Sequence, residues 1–315
     1  MGIIRGICIS EKRGTQKTEV PEADLKVNWG IEGDAHGGSW HRQVSLLSLE
    51  KIEAFREKGA DVAFGAFGEN LIVEGFDFAS LPVGSRFHIG EAELEMTQIG
   101  KECHSHCQIY QVMGDCIMPR EGVFAEVRKP GHIRVGDAVT LLPQDPARPL
   151  TAAVITLSDK GAAGQREDKS GPVIVEELKK AGYKVIETLL LPDDMAKIKA
   201  QLIRFSDQRQ VNLILTTGGT GFSERDCTPE ATLAVATRNA PGIAEAIRAG
   251  SMQITRRAML SREASVIRNQ TLIVNLPGSP KAVKECLDLV LDQLDHGIRI
   301  LTGRDSECAG NNFRC

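Results

Sequence analysis

Leu215-Thr216-Thr217-Gly218-Gly219-Thr220-Gly221, continued by Phe222-Ser223-Glu224-Arg225-Asp226-Cys227-Thr228-Pro229-Glu230, is the stretch from which the architecture can be read. The apolar run Val211–Thr216 leads into glycines, and a helix-start signal, Thr228 as cap and Pro229 as first residue, follows them. Glycine tolerates positive φ and lets backbone amides approach a ligand closely. Proline suits the first helical position, where its missing N–H is not needed. A buried strand passing through glycines into a helix belongs to an open α/β sheet, which binds ligands at the carboxyl ends of its strands. The loop amides and the helix N-terminus beyond them form an anion site. A carboxylate there, Asp226, opposes bound phosphate unless it holds a divalent cation. The loop lacks both the Gly-Lys-Ser/Thr ending of a P-loop and Gly-x-Gly-x-x-Gly spacing, so generic nucleotide motifs do not describe it.

Outward from this loop the period alternates. Ala152–Leu157, Lys184–Leu191, Val211–Thr216 and Thr271–Leu276 read as strands. Gly171–Ala181, with Pro172 at its start and Gly182 past its end, reads as a helix, as do Met195–Phe205, segments from Pro229 and Gly242, and Lys281–Leu301. The expectation is a three-layer α/β domain with a mainly parallel sheet over residues 151–303. Residues 304–315, containing Cys308 and Cys315, are too polar to pack much and are expected to form a mobile tail.

The first half differs. Ile3–Ser10, Gln43–Leu49, Asn70–Val73, Ser85–Ile89, Glu91–Thr97, Gly122–Val127 and Ala138–Leu142 are short strand-like runs bounded by turn residues. Helical stretches are few, chiefly Leu49–Lys58 and one after Glu102. This predicts a mostly-β, barrel-like domain over residues 1–142. Pro143, Pro146 and Pro149 define a connector over 143–150, because prolines at this spacing suit neither helix nor central strand.

Bulk properties exclude several classes. With 315 residues the chain holds two ordinary domains. A net charge of −4 supplies no footprint for nucleic acid. No apolar run approaches the roughly 20 residues of a membrane span. The opening residues, interrupted at Glu11-Lys12-Arg13, are not expected to be a signal peptide, so a cytoplasmic location and eight reduced thiols are expected.

Thr217–Gly221 with Arg225-Asp226 and Thr228-Pro229-Glu230-Ala231-Thr232 resembles the signature of the MogA and gephyrin G-domain family, the molybdopterin adenylyltransferases. Ile155-Thr156-Leu157-Ser158-Asp159, Asp168-Lys169-Ser170-Gly171, Leu191-Pro192-Asp193-Asp194, Leu260-Ser261-Arg262 and Asn275-Leu276-Pro277-Gly278-Ser279-Pro280-Lys281 agree with it in order. The family's Arg after Ser-Asp is here Lys160, which carries the charge without a bidentate fork. The resemblance implies adenylyl transfer from ATP to molybdopterin, with Asp193 and Asp226 holding Mg²⁺. It further implies that Gly218, Gly219, Thr220 and Gly221 cradle phosphate or pterin. Ser158, Asp159, Thr217, Ser261, Asn275, Pro277, Gly278 and Ser279 would complete the nucleotide pocket. Relatives of this domain are commonly trimers, so a homo-oligomer is expected, together with a molybdate-insertion protein as partner; pyridoxal phosphate is not expected.

In the first half, Gly33-Asp34-Ala35-His36-Gly37-Gly38, Arg42-Gln43-Val44-Ser45, Phe67-Gly68-Glu69-Asn70, Gln98-Ile99-Gly100-Lys101-Glu102-Cys103 and Gly122–Val127 resemble the MOSC domain, the molybdenum cofactor sulfurase C-terminal module. The resemblance places a reactive thiol at Cys103, to ligate molybdenum or carry sulfur as a persulfide. His36, His41 and Arg42 could face a pterin phosphate, which makes His36 and Arg42 candidates for binding the molybdenum cofactor. A rival is zinc on Cys103, Cys107 and Cys116. Two other functional readings stay open: a non-catalytic molybdopterin carrier or scaffold, and a MOSC-centred molybdenum reductase fed by an electron-donor partner.

Overall fold

The computed structural model describes residues 1–101 and 108–305. They form two compact units, meeting in sequence at Asp145 and Pro146. Among the described residues no helix is long and apolar enough to cross a membrane.

The first unit is built from β1 (Gly2–Ile9), β2 (Thr18–Val20), β3 (Glu22–Lys26), β4 (Gly30–Ile31), β5 (Val44–Ser48), α1 (Leu49–Arg56), β6 (Leu71–Glu74), β7 (Arg86–Ile89), β8 (Ala92–Ile99), α2 (Gln108–Met113), α3 (Met118–Glu121), β9 (Val123–Lys129), β10 (Gly131–Arg134) and β11 (Ala138–Leu141). Seven strands in the order β11-β7-β8-β9-β5-β6-β1 close into a barrel because β1 pairs back onto β11, with Gly2 opposite Val139. The β5–β6 pair is parallel and its barrel neighbours antiparallel. Alternation places Leu94 and Met96 of β8 in the core, packed with Ile4, Leu46, Val73, Phe87 and Val123. Not expected from the sequence is the small sheet β10-β3-β4: β3 and β10 bury one residue each, and β4 is only two residues long, so none carries a periodic apolar signal.

The second unit contains β12 (Thr151–Leu157), α4 (Asp159–Ala162), α5 (Ser170–Lys180), β13 (Lys184–Leu191), α6 (Met195–Ile203), β14 (Leu213–Thr217), α7 (Thr228–Ala234), β15 (Arg238–Asn239), α8 (Pro241–Met252), β16 (Ser265–Arg268), β17 (Thr271–Leu276) and α9 (Pro280–Leu301). The sheet order is β13-β12-β14-β17-β16-β15. β13, β12, β14 and β17 run parallel, and the edge pair β16–β15 is antiparallel. Every residue of β12 is buried, which a continuous apolar run permits and an alternating one would not. Ala152, Val154, Leu213, Leu215 and Val274 pack with Ile174 of α5, Ile247 of α8 and the apolar stripe of α9. Their neighbours in sequence, Ala153, Ile155, Ile214 and Ile273, pack with Ile198 and Leu202 of α6 and Ala231 of α7.

Three local differences have simple causes. Leu150, read as connector, is buried in the second core. Arg304, read as tail, donates from Nη1 to the Arg148 carbonyl at 2.7 Å. Thr228 is the first residue of α7 and not its cap, because its hydroxyl donates instead to the Gly218 carbonyl.

Candidate functional site

In the second unit the carboxyl ends of β12, β13 and β14 bring the predicted residues together. Gly218 (φ +97°) and Gly219 (φ +64°) both adopt left-handed backbone. A Cβ on Gly218 would lie 2.3 Å from the Leu157 carbonyl oxygen, and one on Gly219 would lie 2.3 Å from Thr228 Oγ1 and 2.8 Å from Asp193 Oδ1. A Cβ on Gly221 would meet Asp226 Oδ2 at 2.8 Å. The glycine loop therefore runs directly against both expected metal carboxylates, and at Gly218 and Gly219 both the left-handed backbone and the close contacts exclude a larger residue.

Asp159 and Asp193 are reciprocally tied: the Asp159 amide donates to Asp193 Oδ2 at 3.2 Å, and the Asp193 amide to Asp159 Oδ1 at 3.1 Å. Asp193 Oδ1 is buried without a hydrogen-bond partner. Burial pushes the Asp193 carboxyl above the usual range, and the nearby charges of Asp159 and Asp226 add to that shift. Arg225 grips Asp159 with both branches, at 3.0 and 2.9 Å.

Several pocket candidates serve the frame. Ser158 caps α4 by accepting from the Gly161 amide, and Ser279 caps α9 by accepting from Ala282. Thr217 donates to the Pro277 carbonyl at 2.7 Å. Asn275 is fully buried; its amide donates to Thr216 and Thr232 and its oxygen accepts from Ala264. Its work is to lock the strand ends beneath the loop. Gly278 packs against Gly218, and a Cβ there would touch the Gly218 Cα at 3.4 Å. Thr220 is buried, and its carbonyl accepts from the Arg262 amide. Ser261 Oγ accepts from the Glu263 amide.

Arg262, quoted in the sequence motif but given no role, is the main brace. Nε donates to the Gly221 carbonyl at 2.6 Å, Nη2 to the Asp226 carbonyl at 2.7 Å, and Nη1 pairs with Glu230. Asp168 is a second residue whose role had not been read: it accepts from Thr156 Oγ1 and from the Ser170 and Gly171 amides, fixing the start of α5 beside β12.

Glu263 adds a pH dependence. Burial pushes its carboxyl up to about 7, so the fold favours the protonated form. Between the ordinary value of 4.5 and about 7 the native state then holds the proton that the unfolded chain releases, and stability falls as pH rises through that window. Above it the loss is complete and constant, at most about 3 kcal/mol. We expect the thermal midpoint of the second unit to drop across this window, and Glu263→Gln to flatten the profile. An unchanged slope in the variant would remove Glu263 as the cause.

The first unit carries a separate site. A cavity of about 710 Å³ is lined by Lys17, His36, Trp40, Arg42, Lys101 and Phe124, among others. The expected residues His36 and Arg42 do share it; Arg42 lies over Trp40 at 4.7 Å and over Phe124 at 5.5 Å. His41 bonds Gln98 at 3.0 Å. Unforeseen is the buried Lys17, whose ammonium donates to both Asp34 oxygens at 2.6 Å and contacts His36 Nδ1 at 3.3 Å. Asn70 donates to Asp34 Oδ2, and the Ser10 amide to Oδ1. An ammonium cannot accept, so Nδ1 of His36 is the acceptor and Nε2 carries the ring proton. Burial and the Lys17 charge push His36 below the usual histidine range, against the opposing pull of Asp34. No local sequence signal marks Lys17, which lies in a polar stretch.

Cys103 and Cys107 lie outside the described residues. Cys116, the third member of the zinc alternative, is buried in an apolar cluster with Phe55, Ile117 and Met118. Among the described residues, no group of three or more His, Cys, Asp or Glu is arranged to hold a metal.

Comparison with known proteins agrees with this division. Residues 153–296 match the family model described as a probable molybdopterin binding domain, and residues 33–140 match the MOSC domain. The molybdopterin adenylyltransferase of Escherichia coli K12 is 44% identical over 145 residues, covering 45% of this chain and 74% of that protein. That of Helicobacter pylori 26695 is 38% identical over 163 residues, covering 51% of this chain and 93% of that protein. The Drosophila melanogaster molybdenum cofactor synthesis protein cinnamon is 38% identical over 154 residues, 48% of this chain and 26% of that protein.

Proposed function

Because the chain belongs, through its C-terminal half, to the molybdopterin adenylyltransferase family, we propose that this half, a three-layer domain, adenylylates molybdopterin at the carboxyl ends of its parallel strands. An oxygen of the molybdopterin phosphate attacks the α-phosphorus of ATP, the bond to the bridging β-phosphate oxygen breaks, and pyrophosphate leaves. Positioning and charge compensation do most of the work in such transfers. The amides of Gly219–Gly221 hold phosphate oxygens in place, and Gly218, whose amide donates to the Leu276 carbonyl, supplies the bend that presents them. Asp193 and Asp226 would hold Mg²⁺, which when bound neutralises phosphate charge. The observation that carries the reading is the glycine loop seated against a buried carboxylate oxygen, Asp193 Oδ1, that lacks a hydrogen-bond partner. An uncompensated oxygen of this kind calls for a cation.

The test is pyrophosphate release on incubation with molybdopterin and MgATP. Molybdopterin binding without pyrophosphate would favour the carrier reading instead. Residues 150–315 alone should fold and retain the activity, because the second core contains residues of that segment only. An inactive or insoluble fragment would show that the site needs the first unit. We place the protein in the cytoplasm as a homo-oligomer, a trimer through this domain, handing its product to a molybdate-insertion protein.

For the first unit the reading is a molybdenum-cofactor or sulfur-carrying site that uses His36, Arg42 and, from the sequence, Cys103. Cys103→Ser should abolish cofactor binding or sulfur transfer and leave adenylylation intact. Stoichiometric zinc in the wild type, lost equally in Cys103, Cys107 and Cys116 variants, would replace this role with a zinc site. Molybdenum-dependent turnover with an added electron donor would favour a reductase.

A further inference from the structure

We propose that Arg225 binds the phosphoryl group of the incoming substrate, and that its ion pair with Asp159 is the resting position it leaves to do so. The proposal rests on the adenylyltransferase reading and names a binding residue which that reading does not use.

Two arginines serve the segment between the glycine loop and α7, and their surroundings separate them. Arg262 spends Nε and Nη2 on the carbonyls of Gly221 and Asp226 and Nη1 on Glu230. Moving it would strand two main-chain carbonyls, so it is frame. Arg225 is different. Its guanidinium makes a two-branched contact with Asp159, at 3.0 and 2.9 Å, reaching from the loop after β14 to the end of β12. Both partners are open to solvent, with side chains 63% and 43% exposed. The geometry is bidentate, but this exposure lets water and salt solvate both charges when they part, so the pair can be exchanged. A phosphate presents the same fork of oxygens with more charge, and a guanidinium accepts it in the same two-branched geometry.

The exchange has an electrostatic consequence. Asp159 is tied through its amide and carboxylate to Asp193, whose Oδ1 faces the glycine loop. While Arg225 sits on Asp159, its positive charge opposes a divalent cation at Asp193 and Asp226. Once Arg225 turns to phosphate, Asp159 is released as a further negative charge beside the metal carboxylates. Phosphate and divalent cation therefore bind cooperatively, through a residue that serves one when the other arrives.

The full-length protein with Arg225→Gln and Arg225→Lys tests this without turnover. Mn²⁺ titrated into nucleotide-free protein, followed by loss of the free-ion electron paramagnetic resonance signal, should bind about tenfold tighter to Arg225→Gln than to wild type, because a competing cation is gone. In a parallel titration, a phosphate ligand should bind about tenfold more weakly to the same variant, with Arg225→Lys between the two. MgATP and molybdopterin are titrated separately, and the one that weakens identifies which phosphate Arg225 receives. Both changes are required. Unchanged or weaker Mn²⁺ binding, or unchanged affinity for both phosphate ligands, overturns the proposal, and a lowered melting temperature alone marks Arg225 as merely structural. Neither titration reads pyrophosphate release, so failure of the transferase reading and failure of this one are told apart.

Discussion

Asp226→Ala should lower pyrophosphate release by about three orders of magnitude, a loss on the scale of removing a main electrostatic group from a site of charge transfer. The fold should survive. Among the described residues the Asp226 carboxylate accepts from the Ser223 amide alone, and the loop is braced independently by Arg262 acting on main-chain carbonyls. Asp193→Ala should also be severe but could leave more residual activity, since Asp226 would still offer one carboxylate. The Asp193 change also cuts the tie to the Asp159 amide, so its melting temperature should fall further than that of Asp226→Ala. Release rates within tenfold of wild type for Asp226→Ala, at saturating MgATP and molybdopterin, would remove the carboxylate from the reaction.

How far this site could be read in advance depends on the kind of signal each residue leaves. The glycines and the two aspartates stand in a short contiguous motif or at a strand end, where local chain geometry and position in an α/β sheet predict their meeting. Arg262 acts across the fold, on carbonyls 41 and 36 residues away, and nothing in its own neighbourhood shows which it will reach. Asp168 is partly local, accepting from amides two and three residues on, and only its bond to Thr156 depends on the fold. Asn275 illustrates the reverse: its motif pointed to the pocket, whereas complete burial assigns it to the frame. The elements follow the same rule. Buried parallel strands and the amphipathic α9 leave continuous or 3.6-residue apolar patterns. β3, β4, β10 and the edge pair β15–β16 are too short to carry a periodic apolar signal and are held by pairing with neighbouring strands.

The second large effect concerns the other unit. Lys17→Met should destabilise it by about 3–5 kcal/mol, the cost of leaving a buried carboxylate without its cation. Lys17 and Asp34 have side chains only 2% and 1% exposed. Burial alone would raise Asp34, and the ammonium with the donors from Ser10 and Asn70 outweighs it, holding the carboxyl below the usual range. Removing the cation reverses that balance and leaves His36 Nδ1 beside Ser10 Oγ at 3.3 Å and Asp34 Oδ1 at 3.7 Å. Urea unfolding followed in the first unit reads the loss. Lys17→Met combined with Asp34→Leu should recover most of it, because two apolar groups replace a satisfied pair. A single-variant cost below about 1 kcal/mol would show that water reaches Asp34 readily and that the pair is not a buried one.

The pairing of Gly2 with Val139 sets an order of events during synthesis. The strand that opens the first unit waits for the one that ends it, across nearly the whole unit, and such long-range closure is slow because loop entropy must be overcome before contacts form. Until Ala138–Leu141 has left the ribosome, β7 and the Gly2–Ile3 end of β1 remain open edges, able to pair with strands of another nascent chain. The connector that follows at once gives the growing chain a polar, proline-spaced interval in which the barrel can shut before the apolar strand Thr151–Leu157 emerges to compete for those edges.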